Sequence, residues 1–145
     1  TDDADLRPRN TFAVPARVGG ADALPSFLET RLTQPDASID GVLCWDLFDF
    51  LDRRAAIVLA GRIARMVRQG GAVFGYFGAS AADLTHYTKF VVESETALRL
   101  RPYPATPAKR QVLQNRDIIK MFDPLTVAES FLLKSNTRET LFRRL

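Results

Sequence analysis

The sequence predicts an α/β fold, one domain built on a mostly parallel sheet that finishes in an antiparallel hairpin. Three observations predict it. Asp40-Gly41-Val42-Leu43-Cys44-Trp45-Asp46 is a short, nearly continuous apolar run, which suits a strand buried on both faces. A helical pattern of about 18 residues follows, then a second apolar run, Ala72-Val73-Phe74-Gly75-Tyr76-Phe77. Strand, helix, strand in that order is the right-handed crossover unit of a parallel sheet. Finally, Leu125 to Lys134 and Arg138 to Leu145 read as two strands joined tightly by Ser135-Asn136-Thr137, which makes an antiparallel hairpin.

Taken in order, residues 1–21 read as an irregular N-terminal segment, with two prolines and the Gly19-Gly20 pair. Residues 22–145 read as the α/β core of the same single domain. Pro25 to Leu32 suits a short helix with Pro25 in its first turn and Phe27, Leu28 and Leu32 as its apolar face. Gln34 to Ser38 reads as a turn. After the first strand, Asp52 is placed to cap the next helix. Ala55, Leu59, Ile63 and Val67 recur every four residues, with Ile57, Val58 and Met66 widening the stripe. Arg53, Arg54, Arg62, Arg65 and Arg68 are expected on the opposite side. Gly70-Gly71 is expected to end this helix, because glycine takes the left-handed C-cap conformation cheaply. Gly78 to Tyr87 reads as a loop at the C-terminal end of a strand, where open α/β sheets bind ligands. Lys89 to Ser94 and Ala97 to Arg101 suggest a short strand pair, and the three prolines between Arg101 and Pro107 argue against regular structure there. Asn115 is a candidate cap for a helix through Met121.

Composition narrows the function classes. A chain of 145 residues is large enough to bury about two-thirds of its unfolded surface without a disulfide. Cys44 is the single cysteine, which excludes an intrachain disulfide and points to a reducing, cytoplasmic setting. One cysteine and one histidine do not make a typical zinc site, and a carboxylate-rich site stays open. No apolar run approaches the ~20 residues that span a bilayer, and Thr1 to Asn10 has no apolar segment of the kind that marks a secretory signal. The chain starts with Thr rather than Met, so a piece of a longer protein, or a trimmed product, is expected. Net charge is +3, with basic residues gathered toward the C-terminus. Without an aromatic-interleaved basic motif this reads as a solvated face with protected strand edges, and nucleic acid is not an expected partner.

Three motifs carry a resemblance. Gly20-Ala21-Asp22-Ala23-Leu24-Pro25 is similar to a "GDA-x-LP" turn. Ile39-Asp40-Gly41-Val42-Leu43-Cys44-Trp45-Asp46-Leu47-Phe48-Asp49-Phe50-Leu51 is similar to "FD-x-V-x-x-x-x-x-L-x-x-L". Met66-Val67-Arg68-Gln69-Gly70-Gly71-Ala72-Val73 is similar to "L-K-P-GG-x-L". In this order and spacing the chain resembles the C-terminal part of the class I S-adenosylmethionine-dependent methyltransferase family, over about residues 20–145. The resemblance implies a Rossmann-like methyltransferase sheet, truncated at its N-terminus, whose last strand inserts between its neighbours in the C-terminal hairpin.

What the resemblance implies about sites can be carried over residue by residue. Asp22 would accept a hydrogen bond from the adenine amino group, and the backbone amide of Ala23 would meet a ring nitrogen. An Asx-turn before Pro25 is the alternative for Asp22. Trp45 and Asp46, at the end of the family's fourth strand, would face the cofactor's methionine part and the substrate. The alternative is that Asp46 or Asp49 caps the coming helix and that Trp45 is core. From its chemistry alone, His86 is a candidate general base, since imidazole titrates near neutrality. Tyr76 and Phe77 flank the same loop, and Tyr87 and Lys89 are candidate substrate contacts.

The chain also departs from the family. It has no "D-x-G-x-G-x-G" loop, the element whose glycines let the backbone approach the cofactor's amino-acid end. Asp3 or Asp5 is a candidate remnant of the acid that binds the ribose. The family's first strand is missing too, so Val42 to Trp45 would stand at an unpaired apolar edge, which a homodimer or a partner protein is expected to cover. The acceptor is not marked: Cys44-Trp45-Asp46-Leu47 replaces the "NPPY"-like tetrapeptide of enzymes that methylate base amino groups. Two functions follow. One is a methyltransferase-like domain with an incomplete cofactor site, inactive as this chain. The other is a non-catalytic interaction or regulatory module that reuses the scaffold.

Overall fold

A computed structural model describes residues 24–81, 83–110 and 112–145 of the chain. It falls into two compact units, Thr1–Thr33 and Gln34–Leu145. In the first, α1 spans Leu24–Arg31, close to the predicted bounds. Its last turn places the Arg31 guanidinium over the Phe27 ring, 5.6 Å from the centroid.

The second unit opens with β1, Ile39–Trp45, then a 3-10 turn at Leu47–Phe50 and α2, Arg53–Met66. Asp52 caps α2 as the sequence predicts: its carboxylate accepts from the Ala55 N–H at 2.8 Å. The helix buries Ala56, Leu59, Ala60, Ile63, Ala64 and Met66, while Ile57 points outward at 47% exposure. The expected stripe therefore includes Leu59, Ile63 and Met66 but runs through the alanines rather than Ile57, because small residues let the helix lie close to the sheet.

β2 spans Val67–Gly78 and begins directly where α2 ends, so Gly70-Gly71 does not terminate the helix. The pair instead shapes a bulge. Ile39 pairs with Val67 and Gly41 with Ala72, so β2 carries extra residues between those pairs. Gly70 has φ +80, and a Cβ on Gly71 would lie 2.8 Å from the Asp40 carbonyl oxygen. The end of α2 is met by Arg144, whose Nη1 donates to the carbonyls of Ala64 and Val67 at 3.2 and 2.9 Å.

β3, Asp83–Ser94, and β4, Ala97–Lys109, form a separate two-stranded ribbon much longer than the sequence suggests. The prolines do not prevent it. Every strand of a two-stranded ribbon has a free edge, where a missing N–H costs no ladder bond. Pro102 and Pro104 pair opposite Thr88 and His86, two residues apart and hence facing the same edge. Pro107 falls in a bulge where three residues of β4 stand opposite one of β3.

α3, Asn115–Met121, starts one residue earlier than a cap at Asn115 requires. Gln114 occupies the cap position without a side-chain bond. β5, Thr126–Leu132, and β6, Thr137–Arg143, complete the fold as the predicted hairpin. The four-stranded sheet runs β1-β2-β6-β5, with β1 and β2 parallel and β6 antiparallel to both neighbours. The last strand is thus inserted between β2 and β5. One face of the sheet carries the core. Phe48, Phe77, Phe122 and Phe142 form a ring cluster with centroid spacings of 4.5–6.2 Å, and Val73, Thr140, Ile118 and Leu125 are buried with them. Each such side chain contributes about 1.5–3 kcal/mol by leaving water.

Candidate functional site

The site is built at the C-terminal end of β1. There the ladder slips: Leu43 pairs with Phe74 and Trp45 with Gly75, leaving Cys44 as the extra residue. Cys44 turns inward, and burial pushes its thiol up to about 12, so it stays protonated and unreactive at neutral pH. Trp45 sits at φ +50, a conformation that costs a bulky residue energy and that occurs where surrounding structure enforces it. The slip delivers the indole to the sheet face opposite the core.

An aromatic platform receives it. Phe90 of the ribbon stacks on Trp45 at 4.7 Å and 7° between planes, and on Tyr76 at 5.8 Å and 17°. Trp45 and Tyr76 lie nearly parallel at 6.4 Å, and Phe74 meets both edge-on at 6.3 and 5.2 Å. Such pairs add about 0.5–1.5 kcal/mol each beyond their buried area.

Asp46 follows Trp45 and opens the 3-10 turn without a side-chain cap bond. Burial, with the nearby Asp49 charge in addition, raises its carboxyl to about 6, against a weaker opposing hydrogen bond from its own backbone. A carboxylate titrating there can take up a proton near neutral pH. Asp49 is engaged differently. Its Oδ1 accepts from the Gly78 N–H at 2.8 Å, and its Oδ2 lies 3.5 Å from Arg110 Nη1. Desolvation raises the Asp49 carboxyl, opposed by the Gly78 bond and the Arg110 charge. Helix capping belongs to Asp52, not to Asp46 or Asp49.

The structure separates the remaining sequence candidates. Asp22 and Ala23 lie outside the described residues, as do Asp3 and Asp5. His86 belongs to β3 rather than to a loop; it is exposed, and its Nδ1 meets the Thr85 hydroxyl at 2.9 Å. It shares a strand face with Phe90 but stands four residues, roughly 13 Å, along the ribbon. Tyr87 and Lys89 alternate onto the opposite face. Tyr87 stacks on Tyr103 at 5.3 Å, and Lys89 Nζ lies 4.9 Å from the Tyr103 centroid. They face away from the platform. Phe77 turns into the core. Sequence reading missed Phe90 and Arg110. Phe90 had a signal in the period-two alternation of β3, whereas Arg110 carried none.

Among the described residues, no group of three or more His, Cys, Asp or Glu side chains is placed to hold a metal ion, and no helix is long and apolar enough to cross a membrane.

No protein-family model matches the chain, and no curated protein matches it either. Solved structures do. The chain is similar to the PH0226 protein from Pyrococcus horikoshii OT3, with TM-score 0.52 and 10% identity over 83% of this chain and 66% of that one. It is also similar to an S-adenosylmethionine-dependent methyltransferase from Clostridium acetobutylicum ATCC 824, with TM-score 0.48 and 11% identity over 74% and 58%. A glycopeptide N-methyltransferase, MtfA, complexed with S-adenosylmethionine gives TM-score 0.48 and 9% identity over 74% and 58%. The likeness to the Pyrococcus protein is one of fold, a mixed α/β architecture. The chain spans two-thirds or less of the length of these structures.

Proposed function

We propose that this chain is a methyltransferase-like domain that carries the acceptor side of an S-adenosylmethionine-dependent site. The observation that carries the reading is the sheet order β1-β2-β6-β5, with the last strand antiparallel and inserted, and with Trp45 and Asp46 at the C-terminal end of β1. Ligands of open α/β sheets bind at such ends. In this reading Trp45, Tyr76 and Phe90 form the apolar wall of the acceptor site. Asp46 is the group that accepts a proton there.

The residues present do not complete a cofactor site. The glycine-rich loop, whose backbone would approach a ligand's amino-acid end, is absent from the sequence. The chain by itself is therefore inactive in this proposal. Titration of the 145-residue chain with S-adenosylmethionine and S-adenosylhomocysteine by calorimetry is the test. Absence of saturable binding at millimolar ligand, from a folded sample, is the expected result. Micromolar binding abolished by Asp22→Ala would overturn the incompleteness and restore the adenine contact.

A second reading has its own observation. Among the described residues β1 pairs only with β2, and Leu43 on it is 58% exposed. An open apolar edge fits a module that docks a second copy or a partner protein. Sedimentation velocity decides this: a dimer dissociated by Leu43→Lys supports the second reading, and a monomer at high concentration removes the homodimer.

A further inference from the structure

The aromatic platform depends on where the ribbon sits, and the ribbon is fastened at its base by a contact that the sequence did not announce. Arg110 directly follows β4. Its side chain is 12% exposed, and its guanidinium forks onto one acceptor, the Ser80 carbonyl, from Nε at 2.9 Å and Nη2 at 2.5 Å. Its Nη1 reaches Asp49 Oδ2 at 3.5 Å. Asp49, 13% exposed, holds the Gly78 N–H with its other oxygen. Three loops are thereby tied together at the same end of the sheet: the turn after β1, the exit of β2 and the return from β4.

Gly78 is part of the device. A Cβ there would fall inside the van der Waals envelope of Arg110 Cζ, Nε and Nη1, so the guanidinium lies flat against a backbone that only glycine keeps clear. A buried arginine with a planar fork suits this task, because its donors are held in fixed directions and it stays charged.

We propose that Arg110, with Asp49 and Gly78, is a clasp that docks the β3–β4 ribbon so that Phe90 closes over Trp45, making Arg110 a positioning residue for the site at the end of β1. Apart from its turn and base, a two-stranded ribbon is marginal in water and needs a docking contact to hold one orientation. Beyond Phe90, toward the tip of the ribbon, Val92 and its cross-strand partner Leu98 are 61% and 40% exposed. Phe90 and the clasp hold the ribbon at two points. The proposal is independent of whether any cofactor binds.

Trp45 is the only tryptophan in the chain, so its emission reads the docking directly. In the 145-residue chain, Arg110→Met is expected to shift Trp45 emission to the red. It is also expected to speed amide exchange in residues 84–110 at least tenfold, while Val73, Phe77 and Phe142 keep wild-type protection. Phe90→Ala should reproduce the emission shift with the clasp intact. Gly78→Ala should release the ribbon although Arg110 is present. Arg110→Lys keeps a charge beside Asp49 but loses the fork, and its ribbon exchange should fall between wild type and Met. Unchanged emission and exchange in Arg110→Met overturn the clasp. So does a uniform loss of protection across the four-stranded sheet in Gly78→Ala and Arg110→Lys, which would make the contact a general determinant of folding. Lys behaving no better than Met removes Asp49 from it.

Discussion

In the four-stranded sheet Val73, Phe77, Thr140 and Phe142 are buried with residues of α2 and α3, whereas in the ribbon Val92, Leu98 and Leu100 stand 61%, 40% and 58% exposed. Both regions are rich in residues that favour strands. The sheet is held by apolar burial on one face, where each lost methylene also leaves a cavity. The ribbon is held by cross-strand pairs such as Tyr87–Tyr103 and Arg99–Glu93, by the stacking of Phe90 on Trp45, and by the Arg110 clasp. Strand propensity therefore does not tell a core element from an appendage. What distinguishes them is whether a second layer lies on top.

The largest way to break this comparison is Phe142→Ala. The ring is fully buried and stacks on Phe122 at 4.5 Å, so truncation is expected to cost about 3–5 kcal/mol in a denaturant titration. A loss below 1 kcal/mol would mean that the sheet carries no more of the stability than the ribbon.

Asp46 sharpens the contrast at the boundary between the regions. Its folded-state pKa of about 6 lies above the ordinary carboxylate value. The folded state thus holds the proton more tightly, and the stability this contributes is present in acid and is lost as pH rises from about 4 through 6. Asp46→Asn should flatten that slope and stabilise the chain at pH 7 by about 1 kcal/mol, after discounting for the water that reaches the group. Melting both proteins across that window checks the sign; a gain in acid instead of at neutral pH would contradict it.

Asp52→Ala removes the Ala55 N–H acceptor at the start of α2 and is expected to cost about 1 kcal/mol in a denaturant titration. Leu100→Ser, on the exposed part of the ribbon, should change stability by no more than about 0.5 kcal/mol. A larger loss there, read in the same titration, would show that the ribbon's apolar face is buried in solution.

Much of the sheet was legible because its signals are local. Asp52 caps α2 through a bond to its own third neighbour, the hairpin β5–β6 announces itself by two strand-like runs and a tight link, and the crossover order is written in the spacing of apolar runs. The elements misread are those where a local signal has two structural meanings. Gly70-Gly71 served a bulge held by Arg144 rather than a helix cap. Pro102 and Pro104 marked a ribbon edge, and Pro107 a bulge, rather than a loop. Asn115 gave up the cap to Gln114.

By itself the sequence determined the α/β class, the order of the core elements and the presence of Trp45 and Asp46 at a strand end, since these follow from hydrophobic period and nearest-neighbour chemistry. Only the tertiary structure decided that His86 lies on a strand of the ribbon rather than in a loop, that Phe90 lies on Trp45, and that Arg110 reaches Asp49 across 61 residues of chain. Pairings of that range depend on how strands are placed side by side, and a one-residue slip in register turns a side chain to the other face. No window of sequence short enough to carry a propensity contains both partners.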